Sequence, residues 1–389
     1  MKSSVRYWLM ALGAGLAAVA VLAACGDSGG GDSTSSASAE TTASGGAEEC
    51  VATAQKASDA ALAPPKYKAP VNGFDMSVDE GKTIWAITLS TQNELHNGIA
   101  EDMKRIGAEY GIEVVVYDGK SDVNAQNQGI SQAVAQGADA IILQSVATDI
   151  ASGPIQEAAE AGIPVIDLWN GDPDQELGSL FAHVTSDFTA DGARMADYVL
   201  ANSNCEANTL VLGSASAYPL LESMKTGIET EYSELCPECG YEYIDINPAE
   251  LATKGGPTAQ NYLQAHPDTD WVIAEYDALA AIVVPGIQQM ASGGQGVSVV
   301  SHDGVAQNLE YIRNGELQVM DMSFPPGEYV AYVLLDQAGR AMAGEAASNV
   351  VVPSRIVDKT NLPKSNDTTA LFPGFGDYPT AFAELWEGK

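Results

Sequence analysis

From Lys82 onward the chain alternates short, continuously apolar runs with amphipathic stretches that end at glycine, and few architectures accommodate that rhythm. Residues 83–89 read as a buried strand, 94–110 as a helix closed by Gly111, and 112–117 as the next strand. Residues 124–136 are helical up to Gly137, 140–143 form a strand, 150–161 a helix ending at Gly162, and 163–168 a further strand. A strand that is apolar along its whole length has both faces covered, as in a parallel sheet, and glycine after a helix supplies the left-handed cap. The rhythm restarts after Asp187, with helices at 188–201, 220–234, 257–265, 277–291, 305–313 and 326–342. Strands fall between them at 209–213, 241–246, 271–275, 297–301 and 317–321, followed by a late strand at 350–357. Pro285, inside one of these helices, predicts a kink. Two such sets predict an α/β fold of two doubly wound parallel-sheet lobes, with a ligand cleft where the carboxyl ends of their strands meet.

The first 49 residues follow different rules. Lys2 and Arg6 precede an apolar stretch, 8–24, that is short and rich in alanine and glycine for a membrane span. It ends in Leu22-Ala23-Ala24-Cys25, which resembles the lipobox of an exported lipoprotein with Cys25 as the lipidated residue. Residues 26–49 are almost entirely Gly, Ser, Thr, Ala and acids, a composition that predicts a disordered leash spanning roughly 25–30 Å. The expected location is therefore extracytoplasmic, anchored to the cell membrane through Cys25.

Charge narrows the partners. The formal charge is −34, and removing Lys2 and Arg6 with the leader leaves 16 basic against 52 acidic residues, or −36. Such a surface repels nucleic acid and anionic lipid, so nucleic-acid binding is excluded. With Cys25 lipidated, Cys50, Cys205, Cys236 and Cys239 remain for two disulfides in an oxidising compartment. Cys236-Pro-Glu-Cys239 lies in a loop between a helix and a strand, which favours a structural disulfide over a redox motif. The expected pairing ties Cys205 to Cys236 or Cys239. No metal is expected, since His96, His183, His266 and His302 are scattered and no second ligand pair stands at zinc spacing. The acids of Asp172-Pro173-Asp174-Gln175-Glu176 lack the remaining ligands of a calcium loop and read as a solvated turn.

Several stretches, in order, resemble a known family. They are Ile87-Thr88-Leu89-Ser90-Thr91-Gln92-Asn93, Gly137-Ala138-Asp139-Ala140-Ile141-Ile142, Ala161-Gly162-Ile163-Pro164-Val165-Ile166, the run from His266 to Ala274, and His302-Asp303-Gly304. The chain resembles type I periplasmic-binding proteins, the solute receptors of ABC importers, in the branch that includes ribose-binding proteins. The resemblance implies an N-terminal extension at 50–81, one lobe of 82–186 plus 324–352, a second of 187–323 plus 353–361, and a C-terminal extension at 362–389. The crossings between lobes would form a hinge. It further implies a small-molecule ligand, a permease partner, a monomeric receptor and no cofactor. Lac-repressor-like regulators share such a fold but carry a DNA-binding helix pair where this chain has its leader and acidic leash.

Carried over residue by residue, the resemblance implies a pocket of Glu94, His96 and Asn97 after the first strand, and Trp169 and Asn170 where the family often has Asp-Arg. Glu222 to Met224 fall where an arginine is expected, Glu275-Tyr276-Asp277 replaces an Asn-Asp pair after Ala274, Asp303 falls on the family aspartate, and Ser323, with Asp321 nearby, lies close to a glutamine. By this resemblance Trp169 and Tyr276 are candidates for the aromatic plate of a sugar site, and Asp303, Asn97 and Asn170 for its hydrogen-bonding groups. Both family arginines are missing while acids appear. Uncompensated buried carboxylates are costly. Either some acids stand at the rim, or the ligand brings positive charge or many hydroxyl donors. For Asp303 a helix N-cap before 305–313 is the plain alternative, and for Trp169 lobe packing.

Catalysis is not expected. Ser301-His302-Asp303 has the residue types of a triad, but chain neighbours point apart. No nucleophile elbow, phosphate loop or dinucleotide fingerprint occurs between Lys82 and Lys389. The expectation is capture of a monosaccharide or polyol for import. A sensor that hands its closed form to a membrane receptor is the competing reading, as is a receptor for a cationic or amino-bearing molecule.

Overall fold

The computed structural model describes residues 38–388 except 69, 71, 349 and 365–367. The leader, Cys25 and residues 26–37 of the leash lie outside the described residues. Helix α1 (Ser38–Leu62) begins inside the stretch expected to be a leash, so that reading does not hold from Ser38 on. The Ala- and Glu-containing run around Cys50 has good helix propensity, and Cys50 and Ala54 are buried on one face.

Strands β1 (Thr83–Thr88), β2 (Glu113–Asp118), β3 (Ala140–Gln144), β4 (Val165–Leu168) and β5 (Ala182–Thr185) alternate with helices α2 (Glu94–Glu109), α3 (Val123–Ala135) and α4 (Ser152–Glu160). Helix α5 (Phe188–Asn202) then opens a second series. It continues through β6 (Asn208–Gly213), α6 (Pro219–Leu235), β7 (Gly240–Asp245), α7 (Leu251–Ala265), β8 (Trp271–Ala274) and α8 (Asp277–Gln288). It ends with β9 (Ser298–Asp303), α9 (Ala306–Asn314), β10 (Gln318–Ser323) and α10 (Gly327–Ala343). The short strands β11 (Val350–Val351) and β12 (Arg355–Asp358) and helix α11 (Tyr378–Trp386) complete the chain.

Two six-stranded sheets result, ordered β11-β5-β4-β3-β1-β2 and β12-β10-β9-β8-β6-β7. The first is parallel throughout, and in the second only β12 runs antiparallel, against β10. The expected α/β architecture of two parallel-dominated sheets is present. The connections β5–α5, β10–α10 and β11–β12 carry the chain from one sheet to the other. They are stitched together where Val352 N donates to Thr185 O at 2.6 Å and Ser186 Oγ to Val352 O at 2.7 Å.

Three departures from the sequence reading have physical causes. Strand β5 was not foreseen because His183 and Thr185 interrupt its apolar pattern. Inside the sheet His183 Nδ1 lies 2.7 Å from Asp167 Oδ1 on β4, so the polar pair satisfies itself where an apolar residue would otherwise be needed. The single late strand at 350–357 is two strands in different sheets, separated at Pro353, which has no N–H for a ladder. Helix α7 starts at Leu251 rather than 257. Gly255-Gly256-Pro257 reads as a break, yet Gly256 lets α8 approach so closely that a Cβ on Gly286 would lie 2.9 Å from Gly256 Cα. Helix α8 continues through Pro285 to Gln288.

The C-terminal segment and the part of α1 around Cys50 pack on these elements. Phe372, Phe375, Tyr378, Phe382 and Trp386 are all buried, grouped around Tyr329 and Tyr332 of α10. Trp386 Nε1 donates to Asp336 Oδ1 at 3.0 Å, while Arg340 pairs with the same carboxylate at 2.8 Å and reaches Asn72 O. The disulfides are Cys50–Cys205 and Cys236–Cys239, not the expected Cys205 bridge to Cys236 or Cys239. Proximity in sequence suggested that bridge, but α1 brings Cys50 to the segment after α5 from 155 residues away.

A cross-link over that separation restricts the unfolded chain far more than one over three residues. Replacing Cys50 and Cys205 together by alanine is expected to cost about 2–5 kcal/mol, read as a lower thermal midpoint. The paired Cys236→Ala and Cys239→Ala substitutions are expected to cost less. An equal or larger loss for the second pair would contradict this account.

Candidate functional site

A cavity of about 250 Å³ opens among the carboxyl ends of strands from both sheets. Backbone geometry marks the same place. Ser121 (φ 51°), Ser145 (φ 51°), Trp169 (φ 57°) and Asp303 (φ 126°) all have positive φ, all stand at or just beyond the ends of β2, β3, β4 and β9, and all line the cavity. Such conformations cost on the order of 1–3 kcal/mol each for residues other than glycine and persist where a site over-determines them.

Aromatic rings form much of the wall. Trp169 stacks on Phe324 with centroids 4.6 Å apart and planes at 13°. Phe188 meets Phe324 edge-on at 6.2 Å, and His96 meets Trp169 edge-on at 6.0 Å. Leu95, Leu220, Leu221, Met224, Tyr218 and Tyr276 extend the apolar surface. Polar groups are few but placed. His96 Nε2 lies 2.9 Å from Ser145 Oγ, and burial pushes this imidazole down to about 4, so it is neutral. Its Nδ1 and the Trp169 Nε1 are buried without a protein partner.

The sites expected from sequence divide sharply. His96, Trp169, Met224, Tyr276 and Asp303 line the cavity. Glu94, Asn97, Asn170, Glu222, Asp277 and Ser323 do not. Glu94 is exposed at the first position of α2, because Asn93 caps that helix and turns Gln92, Asn93, Leu95 and His96 toward the cleft instead. Glu222 is exposed and sits 3.7 Å from Lys225. Asn97 is half-buried one position beyond His96, and Asn170 is buried away from the lining. Ser323 turns its hydroxyl back onto Asp321 at 2.8 Å.

Asp277 supports the wall without reaching the cavity. Its carboxylate accepts from Val305 N at 2.7 Å and from Ser301 Oγ, and its own N–H donates to Asp303 Oδ2 at 3.3 Å. Asp277 thus performs the capping role that the sequence offered to Asp303, since α9 begins at Ala306 with no cap from Asp303. Burial, then the adjoining Asp321, pushes Asp277 well above the usual carboxylate range, and Ser301 Oγ lies between the two acids.

His302 is the central charge. Its Nε2 lies 3.2 Å from Asp191 Oδ2 on α5 and its Nδ1 3.2 Å from Asp303 Oδ1. Burial alone would lower this imidazole, but the two carboxylates outweigh it and push it up to about 9. Asp191 also accepts from Arg194 at 2.8 Å and from Ser354 Oγ. Burial raises Asp303, and His302 partly reverses that rise. Lining residues that sequence reasoning left out of the site include Phe188, Phe324, Tyr218 and His302, while Glu275, read only as part of the Asn-Asp stretch, also lines it. Phe188 and Phe324 each follow a crossing between sheets, the available signal for both.

Among the described residues, no group of three or more His, Cys, Asp or Glu could hold a metal ion. Asp172 of the expected turn accepts from Thr189 N at 3.1 Å and Thr189 Oγ1 at 2.6 Å, fastening its loop to α5.

Comparison with known proteins agrees with this fold. A family model described as a periplasmic binding protein domain matches residues 86–346. The chain belongs to this family. As a member it is an extracytoplasmic solute-binding protein. The ribose import binding protein of Bacillus subtilis is 23% identical over 261 residues, covering 66% of this chain and 80% of that protein. The putative rhizopine-binding protein of Rhizobium meliloti is 26% identical over 273 residues, 69% of this chain and 86% of its own length. The 5-methylthioribose transporter solute binding protein of Thermotoga lettingae has the same fold, with a TM-score of 0.69 at 16% identity over 83% of this chain and 100% of that chain. A Bacillus halodurans solute binding protein with bound myo-inositol gives 0.66 at 20% identity over 75% and 99%.

The His302 bridge has a pH signature. An unfolded histidine titrates near 6.5, so stabilisation from the protonated ring is complete below about pH 6.5 and is lost as pH rises through about 9. Denaturant unfolding between pH 6 and 9.5 is expected to show stability falling over that window, with a flatter profile for His302→Gln. An unchanged slope in the variant would remove the bridge from the account.

Proposed function

We propose that this family member captures a small hydroxylated solute, a monosaccharide or polyol, and delivers it to the permease of an ABC importer without altering it chemically. The observation that carries the reading is the cavity itself, walled by side chains from both sheets at the ends of parallel strands. At about 250 Å³ it lies below the usual range for drug-sized ligands, about 300–1,000 Å³. That suits one sugar-sized molecule and not an oligosaccharide. The names of the relatives, which include binding of ribose and myo-inositol, favour the same class.

In this reading residues 82–186 with 324–352, and 187–323 with 353–361, move as lobes about the three crossings, flanked by extensions at 50–81 and 362–389. Ligand touching both walls shifts the open–closed equilibrium, and the permease recognises the closed form. Cys25 carries a lipid that keeps a monomeric receptor at the membrane. Trp169 with Tyr276 supplies apolar faces for ring C–H groups, while His96 Nδ1, Trp169 Nε1 and Asp303 address hydroxyls.

Native mass spectrometry of the purified protein would identify a retained solute, and titration calorimetry would then measure its affinity. Trp169→Ala and Asp303→Ala are each expected to weaken binding by about 2 kcal/mol, with small-angle scattering showing ligand-dependent compaction of the wild type. Unchanged affinities in both variants would displace the site from this cavity.

A further inference from the structure

We propose that the captured solute is an amine, a small hydroxylated molecule whose protonated amino group is held by the carboxylate of Glu275. The inference rests on the solute-binding reading above and specifies the chemistry of its ligand.

Glu275 follows β8 and lines the cavity with no exposed surface. One oxygen is fixed, since Oε2 accepts from Ser214 N at 3.2 Å and from Tyr243 Oη at 3.1 Å. The other, Oε1, is buried with no partner in the protein. The berth is built for this side chain: a Cβ on Gly213 would fall 1.8 Å from Oε2, so the neighbouring strand end leaves the space open. In such a place the ionised form of the carboxyl is disfavoured unless a partner completes its coordination, and a cation does so best.

Among the described residues, no lysine or arginine lines the cavity. Lys225 lies over the Tyr243 ring at 5.3 Å and pairs with Glu229 at 3.2 Å, and His302 is held between Asp191 and Asp303. The surrounding groups are mostly acidic or phenolic: Glu222 from α6, Tyr243 and Asp245 from β7, Tyr276 and Asp277 after β8, and Asp303 from β9. Their field favours a positive ligand group, and Tyr218, Tyr276 and Trp169 offer ring faces for cation–π contact.

A pH dependence follows from the same geometry. Burial, aided by Asp245 and Glu222, pushes Glu275 up to about 8, so the empty site holds a proton on this carboxyl at neutral pH. Capture of an ammonium group releases that proton, and amine affinity therefore rises between pH 6 and 8. Over this interval Lys225 stays charged, and His302 keeps most of its proton until about 9. Against a neutral polyol, the protonated carboxyl acts as a hydroxyl donor, and affinity falls or holds over the same interval.

The test is calorimetric titration of the full chain with matched pairs: D-glucosamine against D-glucose, D-mannosamine against D-mannose, and 1-amino-1-deoxy-D-glucitol against D-glucitol. In at least one pair the amine is expected to bind tenfold or more tightly at pH 8, with a smaller advantage at pH 6. Glu275→Gln is expected to bring the two members within about threefold while retaining the neutral one. The wild-type pH profile stands by itself should the variant fold poorly. Equal or tighter binding of the neutral member in every pair overturns the amine and leaves the solute receptor intact. An amine preference that survives Glu275→Gln with no pH dependence overturns the role of Glu275. Binding of none of the six, with no retained solute in native mass spectrometry, overturns both readings.

Discussion

Stacking of Trp169 on Phe324 is the contact around which the cleft is organised. Trp169 follows β4 in the first sheet, and Phe324 follows β10 in the second, at a crossing between them. Their near-parallel overlap contributes about 0.5–1.5 kcal/mol beyond the area it buries. It is set against a positive φ at Trp169, of comparable or larger cost. The balance is met by burial, since the indole is only 3% exposed and also receives the edge of His96. A residue held in an unfavourable backbone state by packing from both sheets has its orientation fixed. That is what a binding wall needs.

The architecture was legible because its signal is repetitive. Continuous apolar strands and glycine-ended helices recur so often that errors such as the late start assigned to α7 do not disturb the topology. Where polar residues satisfy each other inside the sheet, as Asp167 and His183 do, periodicity carries no trace and β5 goes unseen. The Cys50–Cys205 bridge was equally hidden, since nothing local announces where a 25-residue N-terminal helix docks.

The site was legible by position and less so by side chain. Asp303 and Trp169 stand where strands end, and strand ends can be read. Around α2, each residue along a helix turns the side chain by about 100°. One step separates buried His96 from half-buried Asn97, and two steps separate it from exposed Glu94. At β8 the alternation of a strand decides. Trp271 and Ile273 face one core and Val272 and Ala274 the other, so Glu275 continues the first set. Asp277 shows how a pocket residue type becomes scaffold: its hydrogen bonds hold the backbone that presents Asp303.

Electrostatics then gives the acids near the cleft distinct roles. Asp191 and Asp303 enclose His302 and make a charged bridge between α5 and the end of β9. Asp277 and Asp321 lie on either side of Ser301, whose hydroxyl faces both carboxylates. Each of these acids stabilises a wall because its partner is part of the protein. Glu275 differs in having one oxygen committed to Ser214 and Tyr243 and the other to nothing. A chain of net charge −34 has no shortage of carboxylates for its surface. Keeping one buried and half-satisfied beside a cavity costs stability in the empty state, a cost that a ligand able to complete its coordination reverses on binding.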